Sequence, residues 1–293
     1  MLIRRLAVIG VGLIGGSLAR ALRKVGEVDE VVGCGRGRPN LEKALELGVI
    51  DRYTQDIGEA VRGADLVFLS LPLGAMGAAF DAMRDQLDPA AVVTDGGSAK
   101  GSVVAACEAA FGSQAAKFVP GHPIAGTEQS GVVASFPELY RNRRVILTPT
   151  EVTSREGLSK VEAMWRACGA EVTYMSVQHH DEVLAATSHL PHMLAFSLVD
   201  SLARMEEHDD IFRYAAGGFR DFTRIASSSP VMWRDICVAN REALSNMMER
   251  YIAEMAELAE TIRRGDGDHL LEIFSRAKAA RDRYIDGILD SSE

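Results

Sequence analysis

The sequence predicts an α/β Rossmann-type doubly wound domain followed by an all-α helical dimerisation domain. Three observations carry that reading. Short apolar runs alternate with helix-like stretches through the first half. A glycine-rich segment directly follows the first apolar run. Strand-like runs stop near residue 176, and apolar residues then recur at helical spacing.

The apolar runs at 6–9, 31–33, 66–71 and 92–95 have the length and composition of buried strands. Helical patterns follow at 17–25, 41–47, 76–86 and 102–111. Parallel strands need crossovers, so the alternation implies a parallel sheet. Two more strands are expected at 145–148 and 171–175, around a helix at 154–168. The domains are therefore 1–176 and 177–293. In the second, Leu194, Leu198, Leu202 and Met205 make one apolar stripe, and Leu244, Met247, Met248, Tyr251, Ile252, Met255 and Leu258 another. Such a Met-rich stripe serves packing, in a core or between subunits, and a homodimer through the helical domain is expected.

Gly10-Val11-Gly12-Leu13-Ile14-Gly15 fits GxGxxG between a strand and a helix. Gly10 permits the tight turn, Gly12 lets backbone approach a pyrophosphate, and Gly15 lets helix and strand pack closely. The helix N-terminus offers unpaired N–H groups to the phosphates. Leu13 and Ile14 belong to the same turn. Ser70 and Pro72, at the end of the third apolar run and just beyond it, are expected as further cofactor contacts. NAD-preferring sites usually carry an acid at the end of the second strand, for the ribose 2′-OH. Here Gly35 stands in that place, followed by Arg36. A guanidinium attracts a 2′-phosphate and also stacks on adenine. NAD and NADP both stay open, with a lean toward NADP acceptance.

Three polar segments lie in apolar or glycine-rich settings: residues 95–100, 121–128 and 188–192. The first two are expected beyond the carboxyl ends of the strands, beside the cofactor. His122, on a loop held by Gly121 and Pro123, is a natural general base there.

The segments GVGLIGGSLA, GSAKG, GHPIAGTEQSG, SHLPHMLAFSLVD and GGFRDFTRIASSSPVMWRDI, in that order, resemble the prephenate dehydrogenases of tyrosine biosynthesis. The resemblance covers nearly the whole chain. It implies oxidative decarboxylation of prephenate to 4-hydroxyphenylpyruvate, with a hydride passed to NAD or NADP. By resemblance, His122 accepts the C4 hydroxyl proton and Ser98 hydrogen-bonds near it. Arg224 grips a substrate carboxylate, unless it merely pairs with Asp221 three residues away. Ser188, His192, Gly217 and Arg220 match substrate-pocket positions, and Glu128 and Trp233 match the pocket mouth. Relatives often carry Lys where Arg220 stands. Arogenate dehydrogenases share most of these motifs, so the residues leave prephenate and arogenate both open. A silent nucleotide-sensing protein would be expected to lack His122 or Arg224.

Other residues read more plainly. His189 and His192 lack a third ligand at convincing spacing, so no metal is expected. His179-His180 reads as a domain-junction pair, and the arginines at 141–144 as a solvated edge. The net charge of −9 argues against a nucleic-acid partner. No run is long enough for a membrane span. Four scattered cysteines without a CxxC pair suit a reducing cytoplasm.

Overall fold

The computed structural model describes residues 1–127, 129–206 and 208–286. Strand β1 (Ile3–Ile9) leads through α1 (Leu13–Lys24) to β2 (Val28–Cys34), α2 (Arg38–Glu46), β3 (Arg52–Thr54) and α3 (Ile57–Val61). Then come β4 (Leu66–Leu69), α4 (Met76–Met83), β5 (Val92–Asp95), α5 (Gly101–Phe111) and β6 (Phe118–Val119). They form one sheet in the order β3-β2-β1-β4-β5-β6, parallel at every pairing. This order reverses between β1 and β4, which opens a crevice at their carboxyl ends.

Strand periodicity splits the interior into two layers. Leu6, Val8, Leu66 and Phe68 enter the core on one face. Ala7, Ile9, Val67 and Leu69 enter the other. Both faces are covered, which is why these runs are continuously apolar rather than alternating.

A second sheet follows: β7 (Gly121–Pro123), β8 (Arg144–Leu147), α6 (Arg155–Ala167) and β9 (Glu171–Tyr174). Strand β7 runs antiparallel to β8, and β8 parallel to β9. Residues 121–123 were expected in a loop. They are a strand because their backbone pairs with β8, opposite His122↔Ile146. Three residues with Gly and Pro at the ends carry no strand signal of their own.

The remaining elements are helical: α7 (Val177–Leu184), a π-turn (Ala185–His189), α8 (Leu190–Ala203), α9 (His208–Arg213) and α10 (Gly217–Thr223). A tight 3₁₀ turn (Arg224–Ser227), α11 (Pro230–Ala239), α12 (Arg241–Arg264), α13 (Gly267–Arg281) and a second π-turn (Asp282–Asp286) follow. By compactness the chain divides into Met1–Leu244 and Ser245–Glu293. The first unit extends past residue 176 because α7 packs on α5 and Asn240 donates to the Asp181 carbonyl at 2.9 Å. In the second unit, Ile252, Met255, Ile262, Leu271 and Phe274 are exposed. Among the described residues no helix is long and apolar enough to cross a membrane.

The glycine turn depends on lost side chains. Gly10 has φ +102°, and a Cβ there would meet the Ser70 carbonyl oxygen at 2.0 Å. A Cβ at Gly15 would stand 2.2 Å from the Gly10 oxygen and 2.7 Å from Val8 Cγ1. Gly15→Ala should therefore lift α1 from β1 and cost about 1–3 kcal/mol of stability. Urea unfolding checks this; an unchanged midpoint would show that the helix has room.

Candidate active site

Two adjoining cavities lie along the carboxyl ends of the first sheet. The first, about 570 Å³, is lined by Gly10, Gly12, Arg36, Gln55, Ser70 and Pro72, among others. Gly12 is the N-cap of α1, with no side-chain cap bond and no acid in the first turn. Nothing lies within 4 Å of where its Cβ would stand. The first-turn N–H groups are thus free to meet an anion, with backbone-only walls around them. That cradle fits a pyrophosphate. Leu13 and Ile14 face the second cavity. Gly15 lines neither, consistent with a purely packing task. Asn40 steadies the cradle: its Nδ2 donates to the Val11 carbonyl at 2.7 Å, and its Oδ1 accepts from Val132 N–H at 3.0 Å.

The second cavity, about 1000 Å³, shares Gly12, Ser70 and Pro72 with the first. Ser98, His122, Ser188, His192, Arg224 and Trp233 all line it. Six different segments are thereby brought together: the β5–α5 turn, β7, the π-turn, α8, the 3₁₀ turn and α11. Arg220 and Gly217 do not line it. Arg220 is exposed on α10, and the tight turn after that helix carries Arg224 to the cavity instead. Glu128 lies outside the described residues. Arg141 and Arg143, expected on a solvated edge, are exposed but belong to the cavity rim.

A buried ion pair positions His122. Asp95, at the end of β5, and Lys100, the N-cap of α5, are both fully buried. Lys100 Nζ donates to Asp95 Oδ2 at 2.5 Å and to the Gly121 carbonyl at 2.6 Å. The other Asp95 oxygen accepts the Gly121 N–H at 3.0 Å. Both backbone groups of Gly121 are thus tied to the β5–α5 turn, one residue before His122. Burial pulls the Lys100 ammonium below its ordinary range, and Asp95 opposes that pull.

His122 is buried, and its Nδ1 lies 2.9 Å from His180 Nε2. His180 Nδ1 in turn lies 2.8 Å from Asp181 Oδ1. His122 is held well below the usual histidine range, by burial first; its protonated form would also be opposed by a proton on His180, by the Lys100 ammonium and by a proton on His189. Burial would raise Asp181, but hydrogen bonds from His180 and from the Lys100 and Gly101 N–H groups outweigh it. His180 was expected only to mark the junction; it is buried, whereas His179 is exposed. The pairing joins residues 58 apart, and nothing in the local sequence signals it.

The neighbouring imidazoles are fixed differently. His192 Nδ1 bonds the Ser188 carbonyl at 2.9 Å, and its ring stacks on Trp233 with centroids 3.7 Å apart. His189 Nδ1 accepts from Asn240 Nδ2 at 3.0 Å, and burial pushes this histidine down to about 4. Among the described residues no group of three or more His, Cys, Asp or Glu could hold a metal ion.

A parallel sheet in this order, with a glycine cradle at its switch point, defines a dinucleotide-binding oxidoreductase fold. Residues 18–174 match the nucleotide-binding domain of prephenate dehydrogenase, and residues 176–276 match its dimerization domain. A cyclohexadienyl dehydrogenase of Zymomonas mobilis is 39% identical over 280 residues, covering 95% of both chains. A prephenate dehydrogenase of Bacillus subtilis is 34% identical, covering 93% of this chain and 74% of the relative. Among solved structures, the prephenate dehydrogenase of A. aeolicus in complex with hydroxyphenyl propionate and NAD+ superposes with TM-score 0.89. It is 39% identical, covering 96% of this chain and 98% of that one. The chain belongs to the prephenate dehydrogenase family.

Replacing Lys100 tests the anchor. Lys100→Met leaves the Asp95 carboxylate buried without its partner, which should cost about 3–5 kcal/mol in urea unfolding. A loss below about 1 kcal/mol would show that the pair does not hold the β5–α5 turn to β7.

Proposed function

We propose that the chain oxidises and decarboxylates prephenate to 4-hydroxyphenylpyruvate, in tyrosine biosynthesis. The observation that carries this reading is His122: a buried imidazole, engaged at Nδ1 and left with Nε2 for a cavity that also holds Arg224. A bound nicotinamide dinucleotide supplies the hydride acceptor for C4 of the substrate. The α1 cradle would hold its pyrophosphate, and the cavity beside Arg36, Ser70 and Pro72 its adenosine half.

The chain's own residues then position substrate and handle one proton. Arg224 pairs with a substrate carboxylate through its planar fork. Ser188 and His192, braced by Trp233, line the same wall. Ser98 orients the C4 hydroxyl, and His122 takes the hydroxyl proton at Nε2 as the carbonyl forms. Loss of CO₂ returns the electron pair to the ring. The new phenolate oxygen can take the proton back from His122, so no net proton is released. Aromatisation makes the step downhill.

The depressed His122 keeps its base form at neutral pH. Activity is therefore present above its folded value and falls as pH drops through it. The acid limb of kcat/KM should lie below the ordinary histidine value of 6.5. His122→Asn should lower kcat about 10²–10⁴-fold with little change in KM. Arg224→Ala should weaken substrate binding about 10–100-fold, seen mainly in KM. These rates are read from nicotinamide reduction on adding prephenate. No reduction with either cofactor, or full kcat in His122→Asn, would overturn the assignment.

NAD+ is the cofactor supported by family and fold. We infer that NADP+ is accepted too, since Gly35-Arg36 follows β2 where an acid would repel a 2′-phosphate. Arg36→Ala should cut kcat/KM for NADP+ about 10–100-fold and spare NAD+. A strong NAD+ preference unchanged by that substitution would remove Arg36 from cofactor choice.

We take 1–176 as the dinucleotide half and 177–293 as the substrate and dimerisation half. The change of matched family domain near residue 175 supports this division. The exposed apolar residues of α12 and α13 support a homodimer. Free cysteines, three of them buried, support a reducing cytoplasm.

A further inference from the structure

We propose that His180 and Asp181 are positioning residues that set the tautomer of His122 and share its charge when it takes a proton. This rests on the reading of His122 as the base.

The argument runs outward from the carboxylate. Asp181 Oδ1 accepts the Lys100 N–H at 2.7 Å, and Oδ2 accepts the Gly101 N–H at 2.8 Å. Those two bonds seat the carboxylate on the first turn of α5, where the helix dipole favours the ionised form. An ionised carboxylate only accepts, so His180 must carry its proton on Nδ1. A neutral His180 then presents a lone pair at Nε2. His122 Nδ1, 2.9 Å away, must therefore be the donor of that contact. A neutral His122 with its proton on Nδ1 has its lone pair on Nε2. The tautomer needed for a base is thus dictated through two rings by one carboxylate.

The alternative arrangement has the opposite outcome. If His180 took a second proton, it would donate from Nε2 to His122 Nδ1. His122 would then hold its own proton on Nε2 and could accept nothing. A proton added at His180 Nε2 therefore silences the base. The other charged or titratable groups around this pair are Lys100 with its partner Asp95, and His189. Lys100 and a charged His189 both oppose that added proton.

In turnover the substrate O–H bond breaks and an Nε2–H bond forms on His122. The Nδ1–H bond to His180 then becomes charge-assisted, and the His180–Asp181 bond strengthens behind it. Asp181 stabilises the imidazolium through His180 without any group leaving its place. The same proton returns to the substrate oxygen at the end.

Nitrogen-15 NMR of histidine-labelled wild-type protein, without substrate, reads this directly. The expected pattern at neutral pH is a protonated Nδ1 and a bare Nε2 on both His122 and His180, assigned with His122→Asn and His180→Gln. A proton on Nε2 of His122 would overturn the proposal. Kinetics give the second readout. His180→Leu removes the acceptor and should lower kcat about 10²–10³-fold with KM within about threefold. His180→Gln offers an oxygen to His122 Nδ1–H and should restore at least tenfold of that loss. Equal kcat in the two variants would reduce His180 to packing and sink the idea. Should neither variant fold, the wild-type NMR pattern decides alone. It needs no turnover, so failure of the relay and failure of the prephenate reading are separable.

Discussion

The buried Asp95–Lys100 pair is the constraint on which the site depends. Both charges are removed from water, and both oxygens of the carboxylate are occupied. An isolated charge in that place would be prohibitively costly, so the partners have little freedom to separate. Through Gly121 they fasten the second sheet to the end of the first. The backbone at His122 is therefore placed through its neighbour Gly121. A three-residue strand could not hold such a position alone.

From that anchor the cavity is assembled in layers. The first sheet supplies the phosphate cradle, where glycines leave room and the helix supplies unpaired N–H groups. The second sheet brings His122 beside it. Helix α7 closes the back of His122 with His180 and Asp181, and the Asp181 carboxylate caps α5 in return. Asn240 reaches across to the Asp181 carbonyl and to His189. His122 Nδ1, His180 and the Asp181 carboxylate are thus joined in one network behind the cavity, which His122, Ser98, Ser188 and Arg224 line.

Electrostatics divides the two halves of the cavity. The dinucleotide end is mostly apolar and backbone-lined, with Arg36 exposed at its far edge. The substrate end gathers imidazoles and guanidiniums in a protein whose net charge is −9. A locally basic pocket in an acidic chain favours a small dianion over a large polyanion. Burial favours the uncharged forms of His122 and His189, so the guanidiniums along that lining are those of Arg224, Arg141 and Arg143.

The sequence by itself determined the parallel sheet, the glycine cradle and the change to helices near residue 176, and it singled out His122, Ser98, Ser188, His192, Arg224 and Trp233, which the fold brings to the lining of one cavity. Each of these has a local signature: continuous apolar runs, a GxGxxG turn, 3.6-residue periodicity, or a motif recognisable as a string. Only the tertiary structure decided that residues 121–123 are a strand, that Arg220 and Gly217 stay off the cavity wall, and that Arg141 and Arg143 reach its rim. The same is true of the Asp181–His180–His122 alignment and of the Gly121 anchor. These are contacts between residues 21 to 81 positions apart. Their geometry comes from how two sheets and a helix pack, and no short-range pattern encodes it.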